Sequence, residues 1–344
     1  GDGEIVWPDE QALLIGGKVA DGIGALVEMA LAGGVVETEV TTSDENGDNQ
    51  LDTRKDGSTF YAGEGEANVA LGYKLVFEAA KMGNTRVSIV PFSTDALGPG
   101  YGMELLNTGA QRSQRMIEDR NAYSASNVLG IGSGAATGLT VAITDPAYFV
   151  NVAQYTPGFW GENTGAQITD LATYFRAAVT PRLGGFDTGF GVQVIGGEVT
   201  DNAGNVIPRD GYVVDAQAEG KVAGHDFAAY LSFGEANHTS TAGDVVLLDA
   251  NTKADNNALD KDANKTSSNI GILMSVVPNV NGYVAYRDSA EEDFGTRTTV
   301  GVQWLMRQNM KFELYHTIDG DQKDESGVSQ SQDDVTTLQM FTAW

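Results

Sequence analysis

The first residues whose types and spacing could bind a metal ion form an acidic stretch near the N-terminus. It spans residues 43–56 and reads SDENGDNQLDTRKD. Their spacing follows a calcium-binding loop, in which side-chain and backbone oxygens surround the hard Ca²⁺ ion. The residues at ligand positions one, three, five, seven and nine are Asp44, Asn46, Asp48, Gln50 and Asp52. Position six holds Asn49 instead of Gly, and position twelve holds Lys55 instead of Glu. The stretch predicts weak Ca²⁺ binding, and a solvated acidic loop is the alternative.

A second group concentrates charges of both signs in the longest stretch without strand periodicity, residues 93–136. The whole chain has only 21 Lys and Arg residues, so three arginines close together are a local concentration. The charged residues are Arg112, Arg115, Arg120, Glu104, Glu118 and Asp119. Such a group either lines a solute path, where it sets a local field, or pairs internally on an external surface.

No arrangement of residues in the chain indicates an enzyme. The motifs GxSxG and HExxH and the phosphate-binding P-loop are absent from the sequence. The three histidines, His225, His238 and His316, lie far apart in sequence, and there is no cysteine. Thiolate metal sites, cysteine nucleophiles and disulfides are therefore excluded, and we expect no catalytic residues and no required cofactor.

The charge balance restricts the partners of the chain. Its 344 residues carry a formal net charge of −26, with a pI near 4.2. Phosphate-bearing partners need clustered Lys and Arg, so this balance argues against nucleic acid. It favours divalent cations, a cation path or a salty habitat.

The elements that must position these residues are strands, because polar and apolar residues alternate along most of the chain. In residues 310–318, MKFELYHTI, Met310 and Phe312 lie on one face of an extended strand, and Lys311 and Glu313 lie on the other. Residues 298–306, TTVGVQWLM, and 225–233, HDFAAYLSF, repeat the pattern. No apolar run reaches about 18 residues, so no transmembrane helix is predicted.

Fifteen strand starts can be placed, and the connections between strands alternate in length. The starts lie near residues 12, 23, 69, 86, 138, 148, 171, 186, 212, 226, 269, 282, 298, 310 and 335. Short connections are DGIG (21–24), KMGNTR (81–86), TDPA (144–147), PRLGG (181–185), KVAGH (221–225), PNVNG (278–282) and RQN (307–309). Long ones are 41–59, 93–136, 156–167, 200–210, 236–266 and 318–334. Membrane barrels sort their connections in this way, and soluble sandwiches do not.

The pattern predicts an all-β fold: a single transmembrane antiparallel β-barrel over residues 1–344, with about sixteen strands, short periplasmic turns and long extracellular loops. Bacterial single-chain barrels have an even number of strands. The sixteenth strand is predicted at residues 4–7, or otherwise at residues 125–132.

The final ten residues, VTTLQMFTAW, place Trp344, Met340 and Leu338 on one side of a strand. They resemble the C-terminal assembly signal of bacterial outer-membrane β-barrel proteins, from which Thr342 departs. With the strand repetition, the sorted connections and the chain length, the whole sequence resembles the general diffusion porins of Gram-negative bacteria.

This resemblance implies an integral outer-membrane protein that lets small hydrophilic solutes and ions diffuse through a water-filled pore. Residues 93–136 then stand where porins carry a loop that folds inward and narrows the pore, with its charges opposite those of the wall. The predicted inward-facing wall residues are Lys18, Lys74, Arg86, Arg176, Lys311, Glu28, Glu78, Asp187, Asp215, Glu219 and Glu313. The resemblance also implies contact with outer-membrane lipid and lipopolysaccharide, and a homotrimer, with small-residue stretches at 25–34 and 185–197 as candidate subunit contacts.

Three alternatives stay open at this point. The barrel would serve as a scaffold or sheath for a partner, for which it needs a wide interior without a constriction. The chain would be a calcium-linked surface protein, or a soluble acidic β-protein that binds calcium or glycans. Tyr174, Tyr230, Tyr283 and Tyr315 face inward in our assignment, but they are too scattered in sequence to indicate a sugar channel.

Overall fold

The structure is a computed structural model of the chain. It describes residues 10–41, 53–62, 71–94, 124–132, 136–157, 171–200, 206–237, 264–289, 296–320, 322–323, 329–330 and 334–342. None of the helices in these ranges is long and apolar enough to cross a membrane.

Seventeen strands of the described chain form one sheet, and each of its pairings is antiparallel. Two small hairpins, β11–β12 and β19–β20, stand apart from it. The strands are β1 (Glu10–Ala20), β2 (Ile23–Thr41), β3 (Thr53–Ala62), β4 (Leu71–Met82), β5 (Thr85–Thr94), β6 (Ala136–Asp145), β7 (Tyr148–Pro157), β8 (Ala172–Val179), β9 (Arg182–Leu183), β10 (Phe186–Gly196), β11 (Glu198–Thr200), β12 (Val206–Pro208), β13 (Gly211–Val222), β14 (His225–Asn237), β15 (Asn264–Val277), β16 (Val280–Ser289), β17 (Arg297–Arg307), β18 (Met310–Asp319), β19 (Gln322–Lys323), β20 (Ser329–Gln330) and β21 (Val335–Thr342).

Two of the seventeen strands, β9 and β3, do not count as separate strands of the wall. β8 and β9 both pair with β10 and form two parts of one strand, and β3 pairs only with the distal part of β2. The remaining sheet is a wall of fifteen strands in chain order. The all-β antiparallel class and a number of strands close to sixteen are confirmed.

The seven short connections predicted from the sequence are tight turns, and all of them lie at one end of the wall. Each has two residues between paired strands, and the positions are 21–22, 83–84, 146–147, 184–185, 223–224, 278–279 and 308–309. Several need a left-handed backbone; Ala223 adopts φ 52° and Gly224 φ 86°, as hairpin turns of this size require. We call this the turn end of the wall, and the opposite end, which carries the long connections, the loop end.

Burial alternates along the strands and separates two faces. On β8 the pattern is strictly alternating, with Ala172, Tyr174, Arg176 and Ala178 buried. We call the face with the buried side chains the inner face, and the opposite one the outer face. The strand starts predicted from the sequence all lie within a few residues of the observed starts.

Two sequence predictions about the long connections are wrong. The sequence predicts a loop over residues 41–59, but residues 53–59 belong to β3, which pairs with the last part of β2. Residues 125–132 were the alternative sixteenth strand, but Ala125–Val128 forms a short helix, α1, with Leu129 N donating to Ala125 O at 2.9 Å. The other candidate strand, residues 4–7, lies outside the described residues.

Candidate pore wall

The polarity of the wall is opposite to that of a soluble protein. Large apolar side chains point outward along most strands and are exposed, for example Val214 at 44%, Leu231 at 49% and Leu314 at 53%. Charged and amide side chains point inward and are buried, among them Arg176, Asp215, Glu313, Gln193 and Asn151. Soluble sheets bury their apolar face, whereas membrane barrels turn it to lipid and keep a polar interior.

One ion pair spans three neighbouring strands of the inner face. Arg176 on β8 reaches across β10 to Asp215 on β13, with Nη1 2.5 Å from Oδ2 and Nη2 2.8 Å from Oδ1. Both side chains are fully buried. Gly191 of β10 lies beneath the guanidinium, and a Cβ there would overlap it. The bidentate geometry is the strongest form of this pair, and the glycine is what makes room for it.

A second polar group lies on β17 and β18. Gln303 Nε2 donates to Glu313 Oε1 at 3.2 Å, and Lys311 Nζ lies 3.1 Å from Oε2 of the same carboxylate. Glu313 is buried, so its charge is balanced locally by a cation and an amide rather than by bulk water. The Arg176–Asp215 and Lys311–Glu313 pairs therefore each hold opposite charges together on the inner face.

The inward tyrosines are closer together than their sequence positions indicate. Tyr230, Tyr283 and Tyr315, from β14, β16 and β18, form one buried cluster. The ring of Tyr283 lies over Gly301 of β17, where a Cβ would overlap it. Tyr230 donates its hydroxyl to Glu219 Oε1 at 2.7 Å. This grouping could not be inferred from the sequence, because alternate strands bring these residues together only through the sheet register.

Residues 124–132, which lie within the stretch 93–136, pack against the inner face. Ala125 N donates to Ser232 Oγ on β14 at 2.8 Å, and Leu129 lies over Gly234 of the same strand. Gly132 lies against Tyr174 of β8, whose hydroxyl donates to Gln193 of β10 at 2.9 Å. We call residues 124–132 the inner segment. Its apolar side chains share a core with wall residues that include Phe92, Tyr155, Ile195 and Val213.

The other predicted wall residues differ in burial and in position along the strands. Lys74 is buried on β4, 5.6 Å from the centre of the Phe92 ring. Lys18, Arg86 and Asp187 lie near the turn end and are exposed, where they pair with Asp21, Glu78 and Arg182 respectively. Glu28 lies on β2.

Two predicted sets lie outside the described residues. These are the charged set Arg112, Arg115, Arg120, Glu104, Glu118 and Asp119, and the calcium set Asp44, Asn46, Asp48, Gln50 and Asp52. Among the described residues, no group of three His, Asp or Glu side chains is placed to hold a metal ion.

Sequence reasoning missed two buried arginines near the loop end, Arg287 on β16 and Arg209 just before β13. Burial lowers the pKa of Arg209, and the nearby phenol of Tyr155 opposes that shift. Strand periodicity alone could have placed Arg287 on the inner face, since it lies two and four positions from Ala285 and Tyr283.

Comparison with known structures gives a likeness in architecture. A porin refined at 1.8 Å resolution is 10% identical, with TM-score 0.45, over 96% of this chain and 90% of the porin. The outer membrane channel DcaP of Acinetobacter baumannii is 11% identical, with TM-score 0.39, over 96% and 100% of the two chains. OccK10 of Pseudomonas aeruginosa is 11% identical, with TM-score 0.44, over 97% and 92%. No protein-family model matches the chain, and no curated protein matches it by sequence.

The two faces of the sheet decide where the protein resides. An antiparallel sheet with tight turns at one end, long loops at the other, an apolar outer face and a charged inner face is the construction of an outer-membrane barrel. A soluble β-protein would leave this outer face in water, so that alternative does not fit. The described chain is therefore the wall of an integral outer-membrane β-barrel protein.

Proposed function

We propose that the protein is a porin that allows small hydrophilic solutes and ions to diffuse passively through a water-filled lumen. The observation that carries the proposal is the inverted polarity of the wall, with Arg176, Asp215 and Glu313 inside and Val214, Leu231 and Leu314 outside. A polar interior is hydrated where it is open, and hydrated solutes then cross without a cofactor.

The inner segment supports a constriction within this lumen. The chain leaves β5 at Thr94 and is next described at Ser124, directly before Ala125, whose backbone N donates to Ser232 of β14. Strands β6, β7, β8, β10 and β13 separate β5 from β14 along the wall. Gly132, at the other end of the inner segment, lies against Gln193 and Tyr174. Thr94 and Ser124 therefore lie at distant parts of the wall, and the predicted constriction charges of both signs fall between them in sequence.

Those charges would filter solutes by the field that they set across the narrowest part. The described wall contributes Lys74, the Arg176–Asp215 pair and the Lys311–Glu313 pair. The sign of the filter depends on whether the three arginines or the three acids of the stretch 93–136 face the lumen, because each buried wall pair is neutral overall.

Solute uptake by proteoliposomes tests the proposal. Vesicles that contain the protein should swell in isosmotic solutions of small sugars, at a rate that falls steeply with solute size. Vesicles with an equal amount of heat-denatured protein are the control. Equal swelling in both preparations would exclude diffusion and favour the scaffold or sheath.

We also propose a homotrimer, with the outer face shared between lipid, lipopolysaccharide and subunit contacts. One of the two candidate subunit contacts, the stretch 185–197, does not fit the structure. Gly191 lies on the inner face under Arg176, and the outer face of the stretch carries Phe190 and Val194. The stretch does not offer a small-residue surface to a neighbour. Sedimentation in mild detergent should give a trimer, and a monomer alone would contradict this proposal.

A further inference from the structure

Arg209, which lies between β12 and β13 at the loop end, is a buried cation that no described carboxylate balances. Its side chain is 2% exposed, and its Nε atom has no hydrogen-bond partner among the described residues. Within that part of the chain, the titratable group that acts on it is the phenol of Tyr155. A phenol is uncharged at neutral pH, so it does not neutralise the guanidinium.

The acidic residues beside Arg209 do not neutralise it either. Asp210 follows it in sequence, and Glu198 lies on the β11–β12 hairpin, opposite Pro208. Both acidic residues are exposed, whereas Arg209 is buried. A buried charge is costly unless a partner of opposite charge and hydrogen bonds compensate it. Arg209 therefore has the charge and the burial of a group that binds an anion.

The sheet brings Arg209 and Tyr155 together through one row of residues across the wall. Tyr155 on β7 pairs with Ala172 on β8. A Cβ on Gly197, directly after β10, would lie 3.4 Å from the Cα atom of Ala172. The carbonyl of Gly197 accepts a hydrogen bond from Arg209 N at 2.8 Å. The two residues between Tyr155 and Arg209 are small, which lets the two long side chains approach each other.

We propose that Arg209 and Tyr155 bind one oxyanion, the carboxylate or phosphate group of a solute in the lumen. The planar guanidinium presents a fork of N–H donors that matches either group, and the phenol adds an O–H donor. Both residues are buried on the inner face, whereas lipid contacts the outer face. Gly197 and Asp210, which flank the guanidinium, are exposed, so the site lies beside solvent at the loop end.

The inference deepens the proposed diffusion function and rests on it for the route by which a solute reaches the site. It names anions as a class of solute that the wall holds during passage. This is unexpected for a chain with a formal net charge of −26, which repels anions at long range. A single buried cation acts at short range, where screening by water and salt is weak.

Isothermal titration of the folded full-length protein in detergent tests the site without any transport step. Inorganic phosphate and acetate are titrated separately at pH 7, with NaCl added to keep the ionic strength constant. Arg209→Gln removes the charge, Arg209→Lys keeps the charge but loses the fork, and Tyr155→Phe removes only the hydroxyl. Arg182→Gln is the matched control, because this arginine is exposed at the turn end and pairs with Asp187.

We expect saturable binding of one ion per chain, of equal affinity in the wild-type protein and Arg182→Gln. The affinity should fall by about tenfold or more in Arg209→Gln, and by less in Arg209→Lys and Tyr155→Phe. Phosphate binding alone would assign phosphorylated solutes to the site, and acetate binding alone would assign carboxylates.

Two results would overturn the proposal. One is the absence of saturable binding to the wild-type protein, and the other is equal affinity in Arg209→Gln, which would place the ion elsewhere. If Arg209→Gln does not fold, Arg209→Lys decides, because unchanged affinity in that variant would contradict a bidentate contact. Vesicle swelling with small neutral sugars should persist when the site is removed, so failure of the site and failure of diffusion are distinguishable.

Discussion

Arg176 and Asp215 form a bidentate, fully buried ion pair across three strands of the wall, with Nη1–Oδ2 and Nη2–Oδ1 distances of 2.5 and 2.8 Å. The strand between them contributes Gly191, whose missing side chain leaves the space that the guanidinium fills. The pair ties β8, β10 and β13 together on their inner face and fixes the charge that this part of the wall presents.

Removal of one partner should destabilise the barrel strongly. Asp215→Asn leaves the Arg176 charge buried without its carboxylate, so we expect a loss of about 3–5 kcal/mol in the free energy of unfolding. Urea unfolding in lipid vesicles measures it. Asp187→Asn is the control, because its pair with Arg182 is exposed at 3.4 Å and should contribute at most about 1 kcal/mol. Equal losses of unfolding free energy in the two variants would show that the buried pair stabilises the barrel no more than the exposed pair does.

Replacement of Gly191, which lies beneath the guanidinium, should destabilise the barrel, as removal of a charged partner does. Gly191→Ala places a methyl group where Arg176 lies, so the ion pair must move or break. We expect a lower unfolding free energy than in Gly282→Ala on β16, where the nearest atom to the new Cβ would be 3.5 Å away. The same urea titration compares them. Unchanged stability in Gly191→Ala would contradict the observed packing.

The assignment of the faces predicts opposite tolerance for charge on one strand. Val214→Lys places a charge on the outer face of β13, and should cost about 2–4 kcal/mol if the site lies near the bilayer midplane. Gln217→Lys places it on the inner face of the same strand and should cost far less. Unfolding in vesicles measures both. A larger loss of unfolding free energy in Gln217→Lys than in Val214→Lys would show that the inner and outer faces are assigned the wrong way round.

We expect the apolar core around the inner segment to keep the proposed constriction rigid. Leu129→Ala removes a fully buried side chain, and core truncations of this kind cost about 2–5 kcal/mol. Because this loss loosens the segment locally, we expect more open-channel current noise in single-channel records. Leu139→Ala, on the outer face of β6, is the control. Equal noise in the two variants would mean that the segment does not limit the path.

Much of the wall could be predicted from the sequence, because strand periodicity and turn chemistry are local. The alternation in MKFELYHTI placed Lys311 and Glu313 on one face, where the structure has them. Turns such as Ala223–Gly224 were also visible, since hairpins of two residues need a left-handed backbone.

The contacts across the wall could not be predicted in the same way. Arg176 and Asp215 are 39 positions apart, and their pairing depends on the register of three strands. β3 was missed because TRKDGSTFYA is polar and lacks an apolar face. The sequence does not predict α1 as a helix, because its four residues, ASNV, are too few to show a helical period.

Single-channel recording in a planar bilayer under a KCl gradient tests the central claim most directly. The account predicts discrete conductance steps, and a reversal potential that moves toward cation selectivity when Arg112, Arg115 and Arg120 are all replaced by Gln. Arg182→Gln, at the exposed turn end, should leave that potential nearly unchanged. Stable insertion of the folded protein without any conductance steps would contradict the account.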